Sequence, residues 1–370
     1  MGKSDRDAAL LEKLRDKNWK ADEHAMREGM KHKNYRVREF WAYRTEIQAP
    51  ADCVEMGLSD AHADVRLAWS ERDDYIPTRE QVMRGLTDQD ESIRQSWSNK
   101  KSFTPDAEMI DICLNDPILQ IRWTWAERTD FTPTPQQIEN GLTDEHEWVR
   151  EAWARRKDWT PTSFQVQRGL KDRSADVRKA WAERTDFIPT PHQVFKGLSD
   201  EYWEVRKAWA ERLDYTPTPS QIEKGLTDND KDVREAWAER MDWTPTPGQV
   251  ERGLTDSIAH VRASWARRMD FTPTPEQIEI GLADESWEVR LIWAQRTDFT
   301  PTTEHMKVGL TDDDEDVVKA WLNRKDIVWT AEQLVEGLQH PVERVRQAWE
   351  KALQEKNETL HSDSEILPSI

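Results

Sequence analysis

Tryptophan recurs at a fixed interval of 28 residues along most of this chain, and this regularity constrains the fold more than any other feature. No insertion or deletion interrupts the series. An unbroken period of this length predicts a tandem array, in which each unit buries its apolar surface against its neighbours. The twelve positions are Trp41, Trp69, Trp97, Trp125, Trp153, Trp181, Trp209, Trp237, Trp265, Trp293, Trp321 and Trp349.

Other residue types keep the same period. Eleven of the thirteen glycines share one column, in which Cys113 takes the twelfth place. An arginine precedes the tryptophan by three residues from Arg38 to Arg346, with Val318 as the exception. An aspartate column runs from Asp60 to Asp312. The unit is therefore defined by several coupled positions rather than by tryptophan alone.

Each unit is predicted to contain two short helices. In the fifth unit Thr134, Pro135 and Gln137 form a helix start signal, a capping box with proline at the first helical position. Gly141 is expected to end this first helix, because glycine commonly follows a helix C-terminus. Asp144 is expected to cap the second helix.

One face of that second helix is apolar. Val149, Ala152, Trp153 and Arg156 follow the i, i+3, i+4, i+7 spacing. We therefore predict an all-α fold, an α-solenoid (superhelix) of twelve 28-residue two-helix repeats over residues 22–356, with the twelve tryptophans as its structural core. Residues 1–21 are expected to form an N-terminal capping helix, a degenerate half-repeat, and residues 357–370 a disordered polar tail.

The repeated pattern D-x4-V-R-x-A-W-A resembles the HEAT-like superfamily and, more closely, the leucine-rich-repeat-variant type of α-solenoid. The resemblance rests on Asp144…Val149-Arg150 and on its copies, such as Asp172…Val177-Arg178. The regular tryptophan and the Thr-Pro-Thr-Pro connector depart from that pattern. The resemblance implies a curved superhelix used as a binding surface and brings no catalytic residues. Some relatives carry an iron–sulphur module, whose ligands the two widely spaced cysteines cannot supply.

Composition excludes several functional classes. The net charge of −19 disfavours direct nucleic-acid binding, and no apolar run is long enough to cross a membrane. Cys53 and Cys113 give neither a disulfide framework nor a metal-binding spacing, which favours a reducing, cytoplasmic location. The histidines are scattered, and no catalytic or phosphate-binding motif is present. We therefore predict no enzyme activity, no metal and no cofactor.

The repeated charged residues are predicted to be structural, because a residue present in every unit does not define a unique active site. Arg150, Arg178 and their copies are expected to pair with the aspartate column or with helix-end carbonyls. Arg128 and Arg184 are expected to pair with aspartates two residues later. The loop aromatics from Phe103 to Tyr215 are expected to belong to the core.

Information about a partner should lie in the columns that vary, chiefly the residues that follow each column aspartate and are expected to begin the second helix. Large aromatics there are candidate anchors, although they could instead fill grooves between adjacent units. The acidic residues could form a solvated face or meet a basic target. The partner-binding candidates are Trp123, Trp148, Tyr202, Trp203, Trp287, Glu145, Glu147, Asp313, Asp314 and Glu315.

Three functions remain open from the sequence. The leading one is a non-catalytic repeat scaffold that binds a protein through a variable acidic and aromatic edge. The second is an acidic nucleic-acid mimic that inhibits a DNA- or RNA-binding protein in a regulatory or anti-defence role. The third is direct nucleic-acid binding, as in HEAT-like DNA repair proteins, which would require a basic face. The residues that could form such a face are Arg155, Arg156, Lys179, Lys196, Lys207, Lys224, Arg252, Arg267 and Arg268.

Overall fold

The computed structural model describes residues 21–327, together with residues 12, 330, 338, 339, 343, 346, 347, 349 and 350. Every regular element in these residues is an α-helix, so the fold is all-α. The predicted N-terminal capping helix, most of the twelfth repeat and the predicted tail lie outside the described residues. The chain divides into two compact units, Met1–Asp186 and Phe187–Ile370.

Two helices alternate in every repeat of the first unit. Its helices are α1 (Glu23–Met30), α2 (Tyr35–Ala42), α3 (Ala51–Leu58), α4 (Ala63–Ser70), α5 (Arg79–Leu86), α6 (Glu91–Asn99), α7 (Ala107–Leu114), α8 (Leu119–Glu127), α9 (Pro135–Leu142), α10 (Glu147–Arg155), α11 (Ser163–Gly169) and α12 (Ala175–Ala182). Odd-numbered helices are the first helix of a repeat and even-numbered helices the second.

The second unit continues the same alternation. Its helices are α13 (Pro191–Gly197), α14 (Trp203–Glu211), α15 (Pro219–Leu226), α16 (Lys231–Glu239), α17 (Pro247–Leu254), α18 (Ala259–Arg267), α19 (Pro275–Leu282), α20 (Trp287–Gln295), α21 (Thr303–Leu310) and α22 (Glu315–Leu322). Within each unit, each second helix packs against its own first helix and against the neighbouring second helices. This consecutive packing is that of a helical repeat solenoid.

The first helices start where the sequence predicts. Thr134 is the N-cap of α9. Its Oγ1 accepts from the Gln137 backbone amide, and Gln137 Oε1 accepts from the Thr134 backbone amide, which completes the capping box. Gln137 Nε2 also donates to Asp111 of the preceding repeat at 2.6 Å. The cap therefore joins neighbouring repeats as well as starting a helix.

The glycine column has a different role from the predicted one. Gly141 lies inside α9, and none of the described glycines has a positive φ. A Cβ at Gly141 would lie 2.1 Å from Nε1 of Trp153, because the indole rests directly on this stretch of backbone. Glycine is therefore needed to accommodate the tryptophan of its own repeat. The predicted helix end is correct to within one residue, since α9 ends at Leu142 and α11 and α13 end on their column glycines, but its cause is different.

The tryptophan column forms the centre of the core. All twelve tryptophans of the series are buried, including Trp349. Beside each one, a valine or isoleucine four residues earlier and a small residue before or after it are also buried in most repeats, as Val149, Ala152 and Ala154 are around Trp153. Burial of an indole in every repeat supplies much of the hydrophobic stabilisation of a chain that is otherwise poor in apolar residues.

Ten of the twelve tryptophans are followed three residues later by an arginine, which ties successive repeats together. Arg156 donates from Nε and Nη2 to Asp158 at 3.0 and 2.6 Å, and from Nη1 to the Ala126 carbonyl at 2.9 Å. Its guanidinium lies between two rings, 5.0 Å from the centre of Trp153 and 4.8 Å from that of Phe131 in the preceding repeat. The predicted local pairing is confirmed, and stacking on the loop aromatic of the previous repeat extends it.

Candidate partner-binding surface

The column aspartates and the arginines that precede the tryptophans form a buried ladder between repeats. Arg150 donates from Nε and Nη2 to the Asp172 carboxylate, both at 2.7 Å, and from Nη1 to the Asp144 carbonyl at 2.9 Å. Both predicted kinds of partner, the aspartate column and a helix-end carbonyl, are thus used at once. The same bidentate pairing joins Arg38–Asp60, Arg66–Asp88, Arg94–Asp116, Arg122–Asp144, Arg206–Asp228, Arg234–Asp256, Arg262–Asp284 and Arg290–Asp312.

Pairing within the ladder lowers the pKa of two of its carboxylates. Burial acts to raise the pKa of Asp88, but the hydrogen bonds from Arg66 and from the Asp90 amide, together with the charges of Arg66 and Arg94, outweigh it and hold that pKa below its usual value. Asp60, beside Arg38, shows the same balance and a lowered pKa. These charged pairs are saturated within the protein, so they are not available for acid–base chemistry or for a ligand.

The column aspartate is not the N-cap of the second helix. In the fifth repeat the N-cap is His146, whose Nδ1 accepts from the Trp148 amide, while Asp144 Oδ1 accepts from the His146 amide at 2.8 Å. The second helix therefore begins at Glu147, three residues after Asp144. The prediction placed the cap too early, because Asp144 is engaged by Arg122 of the preceding repeat.

Because the second helix begins later than predicted, not all of the acidic candidates lie on it. Glu145 and Asp313 lie in the loop and are largely exposed, although each contacts a ladder arginine, at 3.3 Å from Arg122 and 3.0 Å from Arg290. Asp314 caps α22 through the amides of residues 316 and 317. Glu147 and Glu315 are the first residues of α10 and α22. The acidic candidates thus occupy both the loop and the first turn of the second helix.

The aromatic candidates differ in exposure. The exposed fractions are 48% for Tyr202, which holds the N-cap position of α14, and 43% for Trp287, the first residue of α20. Trp203, the first residue of α14, is partly buried. The groove-filling alternative therefore applies in part to Trp203, whereas Tyr202 and Trp287 present much of their rings to solvent.

Two further aromatics lie on consecutive second helices of the first unit. Trp123 on α8 is 38% exposed and Trp148 on α10 is 49% exposed. We call the exposed surface of the second helices the second-helix face; on α10 it consists of Glu147, Trp148, Glu151 and Arg155. Trp123 holds the position on α8 that Glu151 holds on α10. The two tryptophans therefore belong to one surface, a relation that a 25-residue separation in sequence does not reveal.

The candidate basic residues are divided among buried stacking positions, second helices and first helices. Arg156 and Arg268 are buried in the stacking described above. Arg155, Lys179 and Lys207 on the second helices each pair with a glutamate four residues away, at 2.7, 3.7 and 3.6 Å. The candidates Lys196, Lys224 and Arg252 belong instead to the first helices α13, α15 and α17.

One exposed apolar set was missed by the sequence interpretation. Leu213, Met241 and Met269 hold one column in three consecutive repeats of the second unit, just after the second helix, and are 70%, 60% and 53% exposed. The signal was present in the sequence, because this column holds Asp, Lys or Thr in the other repeats from residue 45 to residue 325.

The cysteines have no sign of reactivity. Both are buried, and burial raises the pKa of Cys53 to about 11 and of Cys113 to about 12. In the described part of the chain, no group of three or more histidine, cysteine or acidic side chains is arranged to hold a metal ion. Nor does any described helix have the length and apolarity needed to cross a membrane.

Comparison with known proteins gives only fold-level likenesses. No protein-family model matches this sequence, and no curated protein matches it. One similar solved structure is a leucine-rich repeat variant with a repetitive structural motif, at 20% identity and a TM-score of 0.45, covering 64% of this chain and 87% of that one. Another comes from a study of Kap95p binding to RanGDP, at 12% identity and a TM-score of 0.43. It covers 93% of this chain, which spans 55% of the length of that one.

Proposed function

We propose that this protein is a non-catalytic repeat scaffold that binds a protein partner through the variable positions of its second helices and of the loops before them. One observation carries the proposal. The repeated arginines and aspartates are paired with each other and join neighbouring repeats, whereas the aromatics Trp123, Trp148, Tyr202 and Trp287 at variable positions are between 38% and 49% exposed. Exposed tryptophan and tyrosine rings beside polar groups are typical anchors of protein interfaces.

A second candidate follows from the acidic excess. Glu145, Glu285 and Asp313 are highly exposed loop residues that lie beside an Arg–Asp pair of the ladder. Such carboxylates on consecutive repeats, as at Glu285 and Asp313, could occupy the basic surface of a DNA- or RNA-binding protein. Interaction through carboxylates alone should weaken steeply as salt screens it, whereas an interface anchored by aromatic rings should be less sensitive.

Affinity capture with the full chain as bait tests the two candidates against each other. The baits are the native protein, a Trp148→Ala/Tyr202→Ala/Trp287→Ala variant, and Leu213→Ala as a matched loss of one exposed apolar side chain elsewhere. A partner that survives high salt, is lost with the triple variant and is kept by Leu213→Ala supports the aromatic scaffold. A partner released by salt or by added DNA, and retained equally by all three baits at low salt, supports the mimic and contradicts the scaffold.

A further inference from the structure

The pair of exposed tryptophans on α8 and α10 forms a two-ring surface of defined spacing. Between consecutive second helices, contacts join residues about one repeat apart: Gln95 Nε2 donates to Thr124 Oγ1, 29 residues later, at 3.1 Å. In this register Trp123 lies across from Glu151, and Trp148 lies one helical turn before Glu151 on the same face. The two indoles are thus separated by about one interhelical distance, on the order of 10 Å.

The ring of Trp148 is oriented before any partner arrives. His146 accepts from the Trp148 amide through Nδ1 at 3.3 Å, and its ring meets the indole edge-on with centres 4.9 Å apart. A side chain held in this way loses less conformational entropy on binding than a free one.

The charges around the two rings are predominantly negative. Glu127 is one turn after Trp123 on α8, Glu147 directly precedes Trp148, and Asp176 lies in the first turn of the next second helix, α12. None of these three carboxylates forms an ion pair within residues 21–327. The nearby cation Arg155 is already paired with Glu151 at 2.7 Å. The surface therefore offers two aromatic faces and unneutralised carboxylates.

We propose that this surface binds an arginine-containing segment of the protein partner, with guanidinium groups stacked on Trp123 and Trp148 and hydrogen-bonded to the flanking carboxylates. The proposal rests on the proposed scaffold function. Tryptophan is the most favourable ring for a cation, and the planar guanidinium both stacks and binds carboxylates in a bidentate manner. A polyproline II segment has three residues per turn and advances about 9 Å in each turn, so arginines at i and i+3 share one face and can reach both rings.

The interior of the same protein uses this chemistry. Arg128 lies 4.7 Å from the centre of the Trp125 ring and 5.1 Å from that of Phe103, while Asp130 accepts from its Nε and Nη2 at 3.0 and 2.6 Å. The surface at Trp123 and Trp148 presents the aromatic and acidic halves of such a site without the arginine.

The test uses the full chain and three fluorescein-labelled nine-residue peptides, made of three Arg-Gly-Ser triplets or of the same triplets with lysine or with citrulline. Citrulline keeps the shape of arginine without its charge. Fluorescence anisotropy at low salt should show the tightest binding for the arginine peptide, binding at least threefold weaker for lysine, and none for citrulline. Trp123→Ala/Trp148→Ala should weaken arginine-peptide binding at least tenfold and remove the preference over lysine.

Two further variants complete the test. Glu127→Gln/Glu147→Gln should weaken the arginine and lysine peptides alike and reduce the salt dependence, and Trp287→Ala, in the other compact unit, should change nothing. Equal affinity for arginine and lysine, no binding at 1 mM peptide, or full binding by the double tryptophan variant would overturn the proposal. If that variant loses the partner in affinity capture while the peptides fail to bind, the scaffold function stands and the arginine inference alone is wrong.

Discussion

The fourth and fifth repeats place the same tryptophan against different neighbours. In the fifth repeat Trp153 rests on the backbone of Gly141, where a Cβ would lie only 2.1 Å from the indole. In the fourth repeat Cys113 stands in the glycine column, yet Trp125 is fully buried as well. The indole of Trp125 must therefore occupy a different position, which shows that burial of the ring is required and that glycine is one of two ways to achieve it.

The contacts of Trp125 are consistent with this displacement. Its ring centre lies 6.3 Å from that of Phe131, six residues later in the same repeat. The guanidinium of Arg128 lies 4.7 Å from the Trp125 ring, compared with 5.0 Å between Arg156 and Trp153. The repeat thus adjusts its aromatic contacts locally while the ladder of Arg122 and Asp144 keeps its bidentate geometry.

The largest expected effect is the removal of the ring itself. Trp153→Ala and Trp125→Ala should each lower the free energy of unfolding by about 3–5 kcal/mol, because a large aromatic side chain is deleted from a packed core. Urea unfolding followed by circular dichroism measures the loss. A near-neutral result for Trp125→Ala alone would mean that the displaced indole of the fourth repeat contributes little to stability. It would contradict the view that both repeats require a buried ring.

Adding a Cβ beneath the fifth tryptophan should have the next largest effect. Gly141→Ala should destabilise by about 1–3 kcal/mol through overpacking, even though alanine favours a helix by about 1 kcal/mol over glycine. Gly248→Ala is the matched control, because a Cβ at Gly248 meets nothing within 4 Å. The control should be neutral or slightly stabilising; equal behaviour of the two variants in urea unfolding would contradict the close approach at Gly141.

The reverse exchange in the fourth repeat tests whether the core around Trp125 is packed without strain when cysteine is present. Cys113→Gly should destabilise by about 1 kcal/mol, since glycine in a helix interior costs about 0.5–1 kcal/mol and a buried sulphur is lost. Stabilisation by Cys113→Gly, measured in the same urea experiment, would instead show that the cysteine strains its repeat.

The buried thiol of Cys113 provides a kinetic probe of the packing around Trp125. Because burial raises the pKa of Cys113 to about 12, little thiolate forms near pH 8 and alkylation by iodoacetamide should be slow. Trp125→Ala should accelerate alkylation at Cys113 by opening its surroundings, while the rate at Cys53 should change little. Mass spectrometry of the modified peptides separates the two sites, and unchanged rates at both would argue against direct packing of Trp125 over Cys113.

The smallest expected effect on stability is at the second-helix face of the fifth repeat. Trp148→Ala should change the free energy of unfolding by less than about 0.5 kcal/mol, because half of the ring is already exposed. The same variant should lower partner binding. A loss of stability comparable with that of Trp153→Ala would place Trp148 in the core and remove it from the proposed interface.

Features that depend on neighbouring residues could be predicted from the sequence. The capping boxes at Thr134 and its copies are confirmed, because a cap involves residues three apart on one turn of helix. The period of 28 residues predicted an all-α repeat solenoid, which is confirmed. The pairing of Arg128 with Asp130 and of Arg184 with Asp186 also follows from local spacing and is confirmed.

Features that join distant residues were decided by the tertiary structure. Gly141 looked like a helix terminator because its contact with Trp153, twelve residues later, exists only when the two helices pack. Asp144 looked like an N-cap because its partner Arg122 belongs to the preceding repeat. The exposure of Trp148 and the partial burial of Trp203 likewise depend on how neighbouring helices cover each position. The sequence by itself determined the repeat and its helix starts, since both follow from local periodicity and capping. Packing between helices and between repeats determined which glycines, aspartates and aromatics are structural and which remain exposed.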